Sequence, residues 1–105
     1  MKAIINGLRY DTHKAILIGE GSSGGSYNDF QHWSAGLYRT PRSGKFFLAG
    51  SGGPMTQWAR STGQNSLTGG SGIKPMDADD AREWAERYLS TEEVENGFAD
   101  AIEDA

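Results

Sequence analysis

The distribution of glycine constrains the fold of this 105-residue chain more than any other feature of its sequence. Thirteen of the fifteen glycines lie between Gly19 and Gly72. Glycine weakens the interior of a helix by about 1 kcal/mol relative to alanine, whereas turns and bulges accept it readily. We therefore expect mainly turns, bulges and short strands in this segment.

A β-hairpin is predicted at the N-terminus. Asn6 and Gly7 separate the segments 3–5 and 8–10, and an Asn-Gly pair accepts the positive φ angles of a type I′ turn. The apolar run Ala15–Ile18 is either a short buried strand or the end of a helical turn, because four residues are too few for periodicity to decide.

A second hairpin is predicted around the turn Pro41–Gly44, between segments 37–40 and 45–49. Proline presets φ at the entry of such a turn, and glycine takes the left-handed conformation at its exit. After this hairpin we expect a break in the sheet at 50–54, the start of a short helix at 55–60 with Trp58 inward, a loop at 61–71 and a strand at 72–74.

The last thirty residues predict helices. Asp77 is a suitable N-cap, and apolar side chains recur after it at helical spacing. These are Ala78, Ala81, Trp84, Ala85, Tyr88 and Leu89. Ser90 and Glu93 have the spacing of a capping box, which predicts the start of a second helix. Its apolar stripe comprises Val94, Phe98, Ala101 and Ile102.

These elements predict a single α+β domain over residues 1–105. A small antiparallel β-sheet of hairpins forms the glycine-rich part, 1–75, and one or two C-terminal α-helices from the acidic tail, 76–105, cover it. The core contacts that we expect join Trp84, Tyr88 and Leu89 to Phe46 or Phe47, Leu48 and Trp58.

Charge is divided unequally along the chain. The net charge is −4, but residues 76–105 hold eleven carboxylates against two arginines, giving −9, whereas residues 1–75 carry +5. An acidic surface repels nucleic acid and attracts basic grooves of proteins. Asp79, Glu83 and Glu86 would form one stripe along the first helix. The candidate partner-binding residues are Asp79, Asp80, Glu83, Glu86, Glu92, Glu93 and Glu95. The alternative is a solvated helix face that maintains solubility.

No catalytic, cofactor or metal site is expected, and the predicted class is not an enzyme. The chain has no cysteine, and Asp29 with His32 would supply too few metal ligands. The segment Gly19–Gly24 matches G-x-G-x-x-G, but no helix pattern follows it, so we interpret it as a flexible loop. We see no membrane-spanning run or signal peptide, and we expect a soluble cytoplasmic protein.

The second hairpin offers a competing surface. Basic residues alternate there with aromatic ones, a pattern that could bind single-stranded nucleic acid. They are Arg39, Arg42 and Lys45, beside Tyr38, Phe46 and Phe47. Phe46 and Phe47 face opposite sides of a strand, so at most one ring is free to stack. Protection of a sheet edge is the simpler interpretation of these charges.

Six short segments between residues 8 and 88 carry a resemblance to known proteins. They are Tyr10-Asp11-Thr12, Leu37-Tyr38-Arg39-Thr40, Gly44-Lys45-Phe46-Phe47-Leu48, Gly52-Gly53-Pro54-Met55-Thr56, Gly72-Ile73-Lys74-Pro75 and Ala81-Arg82-Glu83-Trp84-Ala85. In this order they resemble a group of small, mostly uncharacterised proteins of bacteria, phages and mobile elements, some associated with anti-CRISPR activity. The resemblance implies inhibition of a CRISPR–Cas effector by binding, and it transfers no functional residue.

The preferred expectation is an anti-CRISPR-type inhibitor that blocks DNA binding by a CRISPR–Cas effector complex, through local DNA mimicry by the acidic helix. A type I surveillance complex serves as the working example. The protein would act as a monomer in the bacterial cytoplasm, without contacting a membrane or nucleic acid directly. Two alternatives remain: a generic protein-interaction module of a mobile element, and a nucleic-acid-binding protein that uses the hairpin 38–47.

Overall fold

The computed structural model describes residues 1–24, 30–63 and 66–105. Its strands are β1 (Lys2–Ile5), β2 (Leu8–Asp11), β3 (Ile16–Ser22), β4 (Trp33–Arg39), β5 (Phe46–Gly52), β6 (Arg60–Gly63), β7 (Ser66–Thr68) and β8 (Gly70–Met76). Its helices are α1 (Ala78–Tyr88) and α2 (Thr91–Gly97), followed by a short 3₁₀ turn at Ala99–Ala101. Strands precede helices, and the α+β class is confirmed.

The main sheet has four antiparallel strands in the order β3-β4-β5-β8. The β1–β2 and β6–β7 hairpins form two separate two-stranded sheets. Both predicted turns are confirmed. Asn6 and Gly7 have φ angles of 52° and 80°, as a type I′ turn requires, and Gly44 has a φ of 65° at the exit of the second turn.

The glycine-rich middle of the chain is more regular than the sequence predicts. Residues 16–22 form strand β3, so the strand interpretation of 15–18 holds, and the flexible loop expected at 19–24 is wrong for residues 19–22. The break expected at 50–54 is also wrong in part, because β5 continues to Gly52. Cross-strand hydrogen bonds keep these glycines extended, which single-residue propensity does not reveal.

Two further expectations after β5 are wrong. Segment 55–60 contains turns rather than the start of a helix, although Trp58 is buried as predicted. The loop expected at 61–71 instead contributes β6, β7 and the start of β8. Thr56 holds the turns together, since its hydroxyl donates to the carbonyl of Gly53 at 2.8 Å and accepts from the Trp58 amide.

A row of small residues crosses the sheet face that lies beneath the helices. Gly21, Ala35, Gly50 and Gly72 are paired in register across the four strands. A Cβ at position 21 would lie 2.8 Å from Cβ of Tyr88, which shows how closely α1 approaches β3.

The core packed on this face is made of apolar side chains from both layers. Its buried members are Ala35, Leu37, Leu48, Trp58, Ala81, Ala85, Val94 and Phe98. Ala81 and Ala85 have no exposed surface, so α1 contacts the sheet through methyl groups. Because these side chains are small, the backbone of α1 lies close to the strands.

The N-terminal hairpin packs on part of the opposite face of the sheet. Phe47 is fully buried there, with the ring of Tyr10 edge-on and the ring of Tyr38 stacked, each at 5.3 Å between centroids. Phe46 faces the helices and stacks on Phe98 at 5.0 Å. Of the two phenylalanines considered for the helix side, the structure therefore selects Phe46.

Both helix starts are confirmed. The Asp77 carboxylate accepts from the Asp80 amide at 2.8 Å, and Ser90 and Glu93 form the reciprocal bonds of a capping box. The second helix is shorter than predicted, because α2 ends at Gly97 and Ile102 is 40% exposed. A Cβ at Gly97 would lie 2.7 Å from Cγ2 of Ile18, so glycine is needed there for close packing on β3.

We predict that Gly50→Ala lowers the free energy of unfolding by about 2 kcal/mol, through overpacking. Its Cβ would lie 2.5 Å from the Ser34 carbonyl oxygen and 2.9 Å from Cζ2 of Trp58. Urea denaturation followed by tryptophan fluorescence measures the change. The matched control is Gly72→Ala in the same row, where a Cβ meets no atom within 4 Å. Equal effects of the two substitutions would contradict the packing described here.

Candidate interaction surface

The acidic stripe predicted on the first helix is present and exposed. Asp79, Glu83 and Glu86 all lie on the solvent side of α1, away from the buried Ala81 and Ala85. The side chains of Asp79 and Glu86 are 83% and 57% exposed. These three carboxylates are therefore accessible to a partner molecule.

Arg82 interrupts this stripe. Its Nη1 lies 3.6 Å from Oδ1 of Asp79, and its Nε lies 3.5 Å from Oε2 of Glu86. Such exposed ion pairs contribute at most about 1 kcal/mol to stability. Their larger effect is electrostatic, because one cation screens two of the three carboxylates. The i,i+3 and i,i+4 spacings in the sequence would have revealed this neutralisation.

The acids of the second helix divide into two kinds. Glu92 and Glu95 are exposed, whereas Glu93 is half-buried. Glu93 accepts a hydrogen bond from the Ser90 amide at 3.0 Å, and its carboxylate lies directly over Gly19 of β3. Glu93 therefore stabilises the start of α2, and its carboxylate is less available to a partner than those of its neighbours.

A groove of about 820 Å³ runs beside α1. On the helix side it is lined by Asp80, Glu83, Trp84, Arg87 and Tyr88. Residues 55–57 and the end of β8 line the other side. Two of the predicted site residues, Asp80 and Glu83, therefore share this concave surface.

Three aromatic rings cluster in the groove. Trp33 and Tyr88 meet edge-on at 4.9 Å, and Trp84 lies 5.1 Å from Tyr88 and 6.3 Å from Trp33. The guanidinium of Arg87 lies 5.7 Å from the centre of the Tyr88 ring. All three rings are half-buried. Aromatic side chains in this state are typical of the energetically dominant centres of protein interfaces.

Sequence reasoning assigned Trp84 and Tyr88 to the core and did not find the groove. The ring of Trp84 and the Cβ of Tyr88 do lie over Gly21, yet both residues are only half-buried. The sequence carried no signal for the contribution of Trp33, since this residue pairs with Gly52 of β5 and meets Trp84 and Tyr88 only through the tertiary fold.

Exposed apolar side chains flank the groove. Met55 lines it and is 62% exposed. The Met55 amide donates to the carbonyl of Phe30 at 2.9 Å, and Phe30 is 65% exposed. Large apolar side chains clustered at a polar rim are characteristic of surfaces that bind other proteins.

The aromatic rings of the basic hairpin are already engaged. Phe47 is fully buried with Tyr38 stacked on it, and Phe46 is stacked on Phe98, so each of the three rings already has an aromatic partner. Arg42 and Lys45 remain exposed in and after the turn. The hairpin therefore presents exposed positive charges, whereas its aromatic rings are occupied by packing within the protein.

The structure explains one other sequence pattern and leaves a second partly outside the described residues. Gly19 and Gly21 lie inside β3, so the G-x-G-x-x-G pattern does not form a turn from a strand into a helix.

Asp29, the proposed neighbour of His32 in a metal site, lies outside the described residues. Within the described residues no three acids or histidines are grouped as metal ligands. In the same part of the chain, neither helix is long and apolar enough to cross a membrane.

Comparisons with models of protein families, with curated proteins and with solved structures find no match to this chain.

We predict that Glu93→Ala lowers the free energy of unfolding by about 1 kcal/mol, because it removes half of a capping box. Chemical denaturation followed by circular dichroism measures this. Glu95→Ala is the matched control on the same helix, and we expect a change within about 0.5 kcal/mol for that exposed residue. A Glu93→Ala variant as stable as the control would show that the capping role is minor.

Proposed function

We propose that the protein is a non-enzymatic inhibitor that binds a basic surface of a partner protein through α1 and the adjoining groove. One observation carries the proposal. An exposed carboxylate stripe borders a concave surface that contains three half-buried aromatic rings and the exposed Met55. Solubility alone explains the carboxylates but gives no reason for the aromatic and apolar groups beside them.

The two parts of this surface have different physical roles. Asp79, Glu83 and Glu86 attract lysine and arginine side chains, which raises the association rate and orients the partner. The groove supplies most of the affinity, since burial of aromatic and apolar groups dominates the energy of protein interfaces. Asp80 and Glu83 lie where the acidic stripe meets the groove. There they can pair with a lysine or arginine of the partner whose aliphatic part packs on the aromatic rings of the groove.

The partner that we propose is a CRISPR–Cas effector complex, and the effect is blocked DNA binding. The resemblance of the six sequence segments to a group associated with anti-CRISPR activity supports this choice. From Asp79 to Glu86 the helix rises about 10 Å, which corresponds to roughly three nucleotides along one DNA strand. Mimicry of DNA is therefore local, and Arg82 limits it further.

The setting that follows is the cytoplasm of a bacterial host, with the protein acting as a monomer. A type I surveillance complex is the working example. A generic protein-interaction module of a mobile element would use the same surface, so only an assay of CRISPR immunity separates it from an inhibitor. We do not favour nucleic-acid binding through hairpin 38–47 as the main function, because Phe46 and Phe47 are engaged in packing.

We predict that the protein restores plasmid transformation in cells whose CRISPR–Cas system targets that plasmid. The triple variant Asp79→Asn, Glu83→Gln, Glu86→Gln should lose this inhibition by at least about tenfold, because it removes the charges that attract the basic groove. Transformation efficiency across strains with defined CRISPR–Cas types is the measurement. If every CRISPR–Cas type tested keeps full immunity against the plasmid, the proposed inhibition is contradicted.

The control for this experiment removes three other carboxylates from the tail. Asp100→Asn, Glu103→Gln and Asp104→Asn together produce the same change in net charge at exposed positions outside the groove and stripe. This control should inhibit as well as the parent protein. If both triple variants inhibit fully, the contact surface lies elsewhere; if both lose inhibition, net charge rather than position is responsible.

We predict that Met55→Ser weakens binding to the inhibited effector by roughly fivefold, because the complex buries the thioether side chain against the partner. Stability should change little, since Met55 is 62% exposed. Leu67→Ser is the matched control, because Leu67 is 60% exposed on the β6–β7 hairpin. Biolayer interferometry against the immobilised effector measures both. If the two variants bind the effector with equal affinity, the groove is not part of the interface.

A further inference from the structure

A second concave surface lies between the N-terminal hairpin and the turn of the second hairpin. Its volume is about 460 Å³, and its polar lining comprises Arg9, Asp11, Lys14, Thr40, Arg42 and Ser43. It belongs neither to the groove beside α1 nor to the acidic stripe. The sequence grouped Arg42 only with its neighbours in hairpin 38–47, and the fold adds Arg9 and Lys14 from about thirty residues earlier in the chain.

Three cations line this pocket against one carboxylate. Arg9, Lys14 and Arg42 are exposed, and within the described parts of the chain none of them forms an ion pair. Asp11 accepts a hydrogen bond from the His13 amide at 2.9 Å. That bond, more than the nearby charges of Lys2, His13 and Lys14, lowers the pKa of the Asp11 carboxyl. The lining therefore keeps a charge of +2 at neutral pH.

The walls of the pocket are held by hydrogen bonds that do not involve the cations. The hydroxyls of Thr40 and Ser43 are 2.7 Å apart, and the Lys45 amide donates to the Thr40 hydroxyl at 2.9 Å. On the other wall the Lys14 amide donates to the carbonyl of Asp11 at 3.1 Å. Both turns are thus fixed by their own bonds, and the cationic groups remain available for a ligand.

We propose that this pocket binds phosphate groups. Arginine offers pairs of N–H donors that match two phosphate oxygens, and a charge of +2 balances a phosphate dianion. The volume falls within the range of small-molecule sites, about 300 to 1,000 Å³. The phosphate is carried either by a small phosphorylated molecule or by a nucleic-acid backbone. The overall charge of −4 opposes a long polyanion, so a small ligand is the source that we expect.

The test measures both sources on the intact protein. Isothermal titration calorimetry with pyrophosphate detects a small ligand, and fluorescence anisotropy of a labelled single-stranded DNA 20-mer at several salt concentrations detects a nucleic acid. The variants are Arg42→Gln, and Arg9→Gln combined with Arg42→Gln. The matched control is Arg60→Gln, which removes one charge from an exposed arginine on β6.

We expect pyrophosphate binding that weakens at least roughly tenfold in the double variant, because charge-assisted hydrogen bonds are lost. Arg60→Gln should bind as the parent does. If DNA binds more tightly than pyrophosphate, and if Arg42→Gln lowers the salt slope by about one, the phosphate belongs to a nucleic acid. The proposal is overturned if neither ligand binds, or if Arg60→Gln weakens binding as much as Arg42→Gln does. Circular dichroism verifies that each variant is folded.

Discussion

The close approach of α1 to the main sheet is the constraint on which the rest of the structure depends. It requires small residues on both sides: Gly21 on β3, and Ala81 with Ala85 on the helix. Side chains of ordinary size there would lift the helix from the strands. The large rings of Trp58 and Trp84 then occupy the space above the glycines and supply the apolar area that a chain this short otherwise lacks.

The interaction surface follows from the same constraint. Because α1 lies so near the sheet, Trp84 and Tyr88 are not enclosed completely between the two layers, and both remain half-buried. Trp33 reaches the same position from β4, and segment 55–57 forms the opposite wall. The groove therefore lies at the edge of the core. Its aromatic side chains are held in place by core packing, so this small domain needs no additional helix or strand to position them.

The features predicted correctly from the sequence are those that neighbouring residues determine. Asn6-Gly7, Asp77 and the Ser90–Glu93 pair each act within one turn of the chain, and each was found as expected. Several of the errors fall in segments 19–24, 50–54 and 61–71, where glycine is extended because a partner strand lies beside it. The groove and the basic pocket were missed for the same reason, since both unite residues that are distant in sequence.

The two chemically opposite surfaces lie on different sides of the sheet. The helices with their carboxylates cover the face of Phe46, whereas the hairpin that carries Arg9 covers the face of Phe47. The domain is therefore an electric dipole, and the field of a positively charged macromolecule exerts a torque on it. The protein would arrive with its helices already turned towards such a surface, an advantage that fades beyond a Debye length of about 8 Å at physiological salt.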